Sequence, residues 1–161
     1  MSIRIADPAE APAVAALITS AYRVEDFFVD GDRANAQDVL NRMTKGEFLL
    51  LEDAGRALAG CVYVEIRGTQ GYFGLLSVDP ARQRRGLGAQ LVAAAEEHCR
   101  RAGCSEMEIE VVNLREELPS FYRRLGYSER GTRQFRDAGR ARRPCHFVVM
   151  TKRLSRSESN A

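Results

Sequence analysis

Apolar residues in this chain follow two rhythms. Around residues 3–5, 47–52, 58–66, 72–78 and 106–112 they run unbroken or on every second position, which predicts strands. Elsewhere they recur every three or four residues, which predicts helices. Val14, Leu17, Ile18 and Ala21 form one such stripe, and Val39, Leu40 and Met43 a shorter one. A third runs from Leu87 through Leu91, Ala94, Ala95 and Cys99, and a fourth joins Leu118, Phe121, Tyr122 and Leu125. Two more strands are expected near 127–132 and 145–152. On the last helix Leu118, Phe121 and Leu125 are expected to face the core, with Tyr122 bordering a cleft.

Polar punctuation fixes the ends. Asp7-Pro8-Ala9-Glu10 reads as a capping box with a first-turn proline. Asn35 is placed to cap the second helix, Asp53-Ala54-Gly55 to turn, and residues 67–71 to close a hairpin. Pro80 cannot donate to a sheet, so the strand before it stops near Asp79. Gly103 and Gly126 are natural helix stops, and Pro119 suits a first turn. Strands interspersed with about four helices argue a mixed α/β sheet. Residues 1–153 form one domain, and the polar stretch 154–161 is expected to be a disordered tail.

The stretch 75–89 carries the clearest chemistry. A strand, a proline turn and a glycine-bearing helix start bring Arg82, Arg84 and Arg85 to a helix N-terminus. Cations there are unfavourable by roughly 0.3–1 kcal/mol each. An anion bound to the backbone N–H groups beside Gly86 and Gly88 would reverse that cost. A solvated basic turn has the same composition. The P-loop pattern is absent, because no Lys-Ser or Lys-Thr follows these glycines, and the dinucleotide fingerprint is only half matched, with Leu91 in its third glycine position.

The 161 residues carry 24 basic and 22 acidic side chains, a net charge of +2 that implies no polyanion partner. The arginines between 133 and 143 are interrupted by Asp137, so a nucleic-acid surface is not expected. No apolar run approaches the ~20 residues that span a bilayer, and Met1-Ser2-Ile3-Arg4 is not a leader-like start. No membrane association and a cytoplasmic location are expected. Cysteines at 61, 99, 104 and 145 are then reduced thiols. With His98 and His146 they match no zinc-ligand spacing, so no metal is expected. The loop after the first helix concentrates Glu25, Asp26, Phe27 and Phe28. Its aromatics either pack inward or line a pocket, and its carboxylates either attract a cationic amine or are solvated.

Two segments bear a family resemblance. Gln83-Arg84-Arg85-Gly86-Leu87-Gly88 resembles the [Arg/Gln]-x-x-Gly-x-[Gly/Ala] motif of the GNAT N-acetyltransferase superfamily. Phe121-Tyr122-Arg123-Arg124-Leu125-Gly126-Tyr127 is similar to that family's second signature, and the strand ending Leu-Ser-Val-Asp-Pro to its fourth strand. The resemblance implies a mixed, mostly antiparallel seven-stranded sheet splayed between strands 4 and 5. It implies acetyl-CoA as cosubstrate, held by Leu76, Ser77 and Val78 along the strand and by Gln83, Arg84, Arg85, Gly86, Leu87, Gly88 and Ala89 at the turn. Asn113 and Tyr122 would complete the cofactor site. By the same resemblance Tyr122 is the general acid, and the Leu76 backbone amide polarises the thioester carbonyl.

Two positions depart from the family pattern. Asn113 stands nine residues before Tyr122 rather than seven, and Tyr72 occupies a place where some members carry a carboxylate. Glu110, Glu65, Asp26 and a water chain are all open as the base. Glu25, Asp26, Phe27, Phe28, Tyr72 and Glu110 are the candidate acceptor-site residues. The expected partner is a small-molecule or peptide amine, and a homodimer is compatible with the resemblance. The competing reading is an acyl-CoA-binding or sensing module without transfer activity.

Overall fold

The computed structural model describes residues 1–136 and 138–155. Residues 156–161 of the expected tail, and Asp137, lie outside the described residues. Among the described residues, seven strands form one sheet: β1 (Ser2–Ile5), β2 (Glu47–Glu52), β3 (Leu58–Arg67), β4 (Gln70–Val78), β5 (Glu106–Val112), β6 (Ser128–Gln134) and β7 (His146–Arg153). Their order is β1-β2-β3-β4-β5-β7-β6. Every neighbouring pair is antiparallel except β4 and β5. Among the same residues, four α-helices cover the faces: α1 (Ala11–Ala21), α2 (Ala36–Met43), α3 (Leu87–Arg101) and α4 (Leu118–Arg124). No helix among the described residues is long and apolar enough to cross a membrane.

The central strands are apolar on both faces because helices cover both. Leu49, Leu51, Val62 and Val64 pack with Leu91, Ala95 and Cys99 of α3 and with Tyr122 of α4. Phe48, Leu50, Cys61 and Tyr63 point the other way, toward Val14 and Ile18 of α1 and Val39 of α2. The caps form as the sequence dictates. Asp7 and Glu10 make a reciprocal capping box on a short 3-10 turn, Pro8–Glu10, that leads into α1. Asn35 and Asp38 make another on α2.

The parallel pair is short. Gln70, Gly71 and Tyr72 pair with Glu106, Met107 and Glu108, and then the two strands part. On its other edge β4 stays paired with β3 but carries a bulge. Cys61 faces Ser77 and Tyr63 faces Gly74, so Leu75 and Leu76 together oppose Val62. Leu75 takes a left-handed backbone, φ 51°, and its carbonyl accepts from the Ser77 hydroxyl at 2.9 Å. The bulge bends β4, and its C-terminal half gains a free edge toward β5.

One expectation is corrected by the packing of α4. Tyr122, not its neighbours, is the residue pressed on the sheet. It is 7% exposed, with ring centroids 6.0 Å from Phe73 and 5.9 Å from Tyr127. Phe121, Leu118 and Leu125 are only partly buried. A helix of seven residues has too few turns for a full apolar stripe, so contact with Phe73 and Tyr127 sets its rotation. The last two strands are also shifted, to 128–134 and 146–153.

Candidate active site

A groove of about 360 Å³ lies between the free edge of β4, the turn into α3, and α4. Leu76 and Val78 line it from β4, and Phe121 and Tyr122 from α4. Its far end is the start of α3. Gly86 precedes that helix at φ 74°, and no side chain caps the end. The first helical N–H with a partner is that of Gln90, which donates to the Gly86 carbonyl at 3.2 Å. The N–H groups before it are therefore open to a ligand. An added Cβ on Gly86 would meet nothing within 4 Å, so the space beside this backbone is empty. Arg82 is spoken for: it pairs with Asp53 at 2.7 Å and Asp79 at 3.6 Å. Arg84 and Arg85 have no ion pair among the described residues.

Where β4 and β5 separate, a passage of about 60 Å³ opens through the sheet. It shares Tyr22, Leu76, Leu118 and Tyr122 with the groove. It shares Tyr22, Leu75, Glu110 and Phe147 with a wide pocket of about 800 Å³ on the opposite side. Tyr122 and Leu76 thus stand where the groove and the passage join.

The charges around this opening are arranged in pairs. Glu25, 3% exposed, accepts from Arg115 at 3.1 Å and lies 3.6 Å from Arg33. Burial pushes its carboxyl up, while Arg33 and Arg115 pull it back. Arg133 grips Glu108 with two hydrogen bonds, 2.7 and 2.8 Å, and Arg136 donates to Glu110 at 2.8 Å. Arg133 of β6 and Arg136 just after it therefore neutralise Glu108 and Glu110 of β5. Burial raises the phenols of Tyr22, Tyr72 and Tyr122, and Arg115 opposes the shift at Tyr122. Removing Glu25 takes a buried carboxylate away from two mostly covered guanidinium groups, Arg33 and Arg115, although Arg115 keeps Glu117 at 2.6 Å. Glu25→Ala is expected to cost about 3 kcal/mol, the low end for a broken buried pair. The melting temperature should then fall by roughly 6–12 °C. A thermal melt within about 2 °C of wild type would show that the cluster contributes little.

The residues singled out from sequence divide as follows. Leu76, Val78, Gln83, Arg84, Gly86, Leu87, Gly88, Ala89 and Tyr122 all line the groove. Ser77 is buried away from it, and Arg85 is exposed on the turn without lining it. Asn113 accepts from the His146 N–H at 2.8 Å, and so ties the end of β5 to β7. Of the loop after α1, Glu25 borders the passage. Asp26 is exposed near Arg23 at 3.9 Å. Phe28 is fully buried with Val112, Phe135 and Phe147. Phe27, 43% exposed, lies edge-on to Phe28 and beneath Arg143. Tyr72 and Glu110 line the wide pocket. Sequence reasoning missed Tyr22, which borders groove, passage and pocket alike. Its signal was present, since it continues the Val14-Ile18 row by four residues. Arg115, also in the groove, had none.

The model of the Acetyltransferase (GNAT) family matches residues 13–127. Among curated proteins, glucosamine 6-phosphate N-acetyltransferase 1 of Oryza sativa subsp. japonica is 38% identical over 90 residues, covering 51% of this chain and 53% of that protein. The chain therefore spans about half the length of that relative. Among solved structures, the ribosomal-protein-S18-alanine N-acetyltransferase from Escherichia coli superposes with a TM-score of 0.77 at 18% identity, over 99% of this chain and 97% of that one. The yncA protein of Salmonella typhimurium, solved with its cofactor acetyl-CoA, gives 0.73 at 18% identity, over 98% and 95%.

Proposed function

The chain belongs to the GNAT acetyltransferase family, and from that premise we propose that it transfers the acetyl group of acetyl-CoA directly to a primary amine. The observation that carries this is the parallel β4–β5 pair parting after Tyr72. It leaves a strand edge that runs from the uncapped start of α3 to a through-sheet passage. The groove residues fit the cofactor. The open N–H groups and empty space at Gly86 suit a pyrophosphate, with Arg84 as a nearby unpaired cation. The edge of β4 at Leu76 and Val78 suits an extended, amide-containing arm, which would add as a strand does.

Acetyl-CoA supplies an activated acyl group as a thioester. The chain's own contribution is threefold. The Leu76 amide is the backbone donor for negative charge developing on the reacting carbonyl oxygen. The Tyr122 hydroxyl holds a proton for the departing sulfur. The passage meanwhile brings the amine to that point from the other side of the sheet. An amine of pKa ~10.4 is neutral in about one molecule in 2,500 at pH 7, a cost of about 4.6 kcal/mol unless a base removes the proton. Of Glu110, Glu65 and Asp26, only Glu110 borders the passage. Both Glu65 and Glu110 pair with an arginine, Arg67 at 2.6 Å and Arg136 at 2.8 Å, so position and not freedom separates them: Glu65 lines the wide pocket without reaching the passage. Glu110 is therefore assigned as the base, directly or through one water.

Thiol release from acetyl-CoA tests the reading across a panel of amines, with the amine product identified by mass. The name of the rice relative makes glucosamine 6-phosphate one member of that panel. Free thiol formed in step with an acetylated amine is the expected result. Coenzyme A binding without transfer to any amine would instead favour a sensing module.

A further inference from the structure

Counted over the described residues, the wide pocket carries more positive charge than its own carboxylates use. Four of its six cations have clear engagements. Arg67 pairs with Glu65 at 2.6 Å, and Arg136 with Glu110 at 2.8 Å. Arg33 lies against Glu25 at 3.6 Å. Arg140 donates to the backbone carbonyls of Asp30 and Asp32 at 2.9 and 2.6 Å. Asp38, the remaining acid among the pocket's described residues, is occupied in capping α2, where it accepts from the Asn35 N–H at 3.0 Å. Arg42 and Lys45, at the end of α2, have no carboxylate within ion-pairing distance among the described residues.

Arg42 is not a freely solvated cation. Its guanidinium sits 5.1 Å from the centroid of the Tyr63 ring, and Tyr63 is itself 2% exposed. A stacked, half-buried guanidinium is already oriented, and its planar fork still offers donors. Lys45, exposed one turn further on, adds a mobile charge at the rim. The inner end of the same pocket is different: Tyr72 and the Glu110 side chain are almost wholly buried there, and Glu110 also borders the passage. The pocket thus has a carboxylate, shared with Arg136, where the amine must arrive, and toward solvent a pair of cations with no carboxylate partner among the described residues.

Resting on the transferase reading above, we infer that the acceptor is an amine that also bears an anionic group, a phosphate or a carboxylate, held by Arg42 and Lys45 at the outer end of the pocket. The ammonium end faces Glu110 and the anionic end faces Arg42, so the pocket reads both charges and the distance between them. Charge-assisted, bidentate contact from Arg42 supplies the selectivity.

The test has two arms. In the first, inorganic phosphate and acetate are titrated separately into the protein with coenzyme A saturating, and the backbone amides of residues 41–46 are followed by NMR. Saturable shifts from at least one anion are expected. In the Arg42→Gln/Lys45→Gln double variant that anion's Kd should rise by at least about tenfold, with coenzyme A affinity unchanged. In the second arm, thiol release is compared for glucosamine 6-phosphate against glucosamine, and for an α-amino acid against its amide. The anionic member of at least one pair should lead in kcat/KM by about 10–100-fold. The double variant should erase that lead through KM, and the pair that responds tells phosphate from carboxylate. If coenzyme A binds but neither anion saturates, or if neutral amines are used equally well, the inference is wrong. If coenzyme A does not bind at all, the transferase reading falls first, and this inference falls with it.

Discussion

Tyr122→Phe is expected to lower kcat by roughly 10²–10⁴-fold, the usual span for loss of a general acid. Coenzyme A affinity should stay within about threefold, because the ring and its contacts remain. The ring is buried against Phe73 and Tyr127. Its hydroxyl oxygen is not among the buried, unpartnered polar atoms, and the residue lines both groove and passage. The substitution therefore strips a groove-facing group and leaves the core as it was, so stability should change by less than about 0.5 kcal/mol. The pH profile adds a second check. Deprotonation would destroy the donor, and burial moves that event above the ordinary phenol range. Wild-type kcat should show no alkaline fall from this group up to about pH 10. Normal turnover in Tyr122→Phe would leave the residue as a core aromatic only.

Gly86→Glu is expected to weaken coenzyme A binding by at least about 100-fold, since a carboxylate facing phosphates costs several kcal/mol. The backbone at position 86, φ 74°, strains any L side chain by about 1–2 kcal/mol. That strain is separated from charge by Gly86→Asn, because Asn tolerates the left-handed region and carries no charge. An added Cβ meets no atom within 4 Å, so neither variant should clash with the fold. Asn at this position should retain affinity within about tenfold of wild type. Calorimetric titration of both variants reads the difference. Wild-type affinity in Gly86→Glu would remove the α3 start from the binding site.

Most of the fold was legible because it is written locally. Capping boxes at Asp7 and Asn35, the proline after Val78, and left-handed glycines at 103 and 126 all act within a few residues of themselves. Both motif segments likewise sit where their local patterns place them, at the start of α3 and on α4. The bulge at Leu75 was not legible, since a leucine in a left-handed conformation leaves no sequence mark. Its cause lies in the register of β3 against β4. The pairing of Glu25 with Arg115, 90 residues away, and of Glu108 with Arg133 depends on which strands become neighbours. The rotation of α4 escaped for the same reason. Phe121 and Tyr122 are adjacent and both aromatic, and only Phe73 and Tyr127 decide which one is buried.

A crystal structure of the protein grown with acetyl-CoA would show directly where the cofactor lies. The pyrophosphate is expected within hydrogen-bonding distance of the backbone N–H groups of residues 86–89. The pantetheine arm is expected along the β4 edge at Leu76 and Val78, and the sulfur facing the Tyr122 hydroxyl. Cofactor density outside the β4–β5 opening, or with its phosphates away from the start of α3, would contradict this placement.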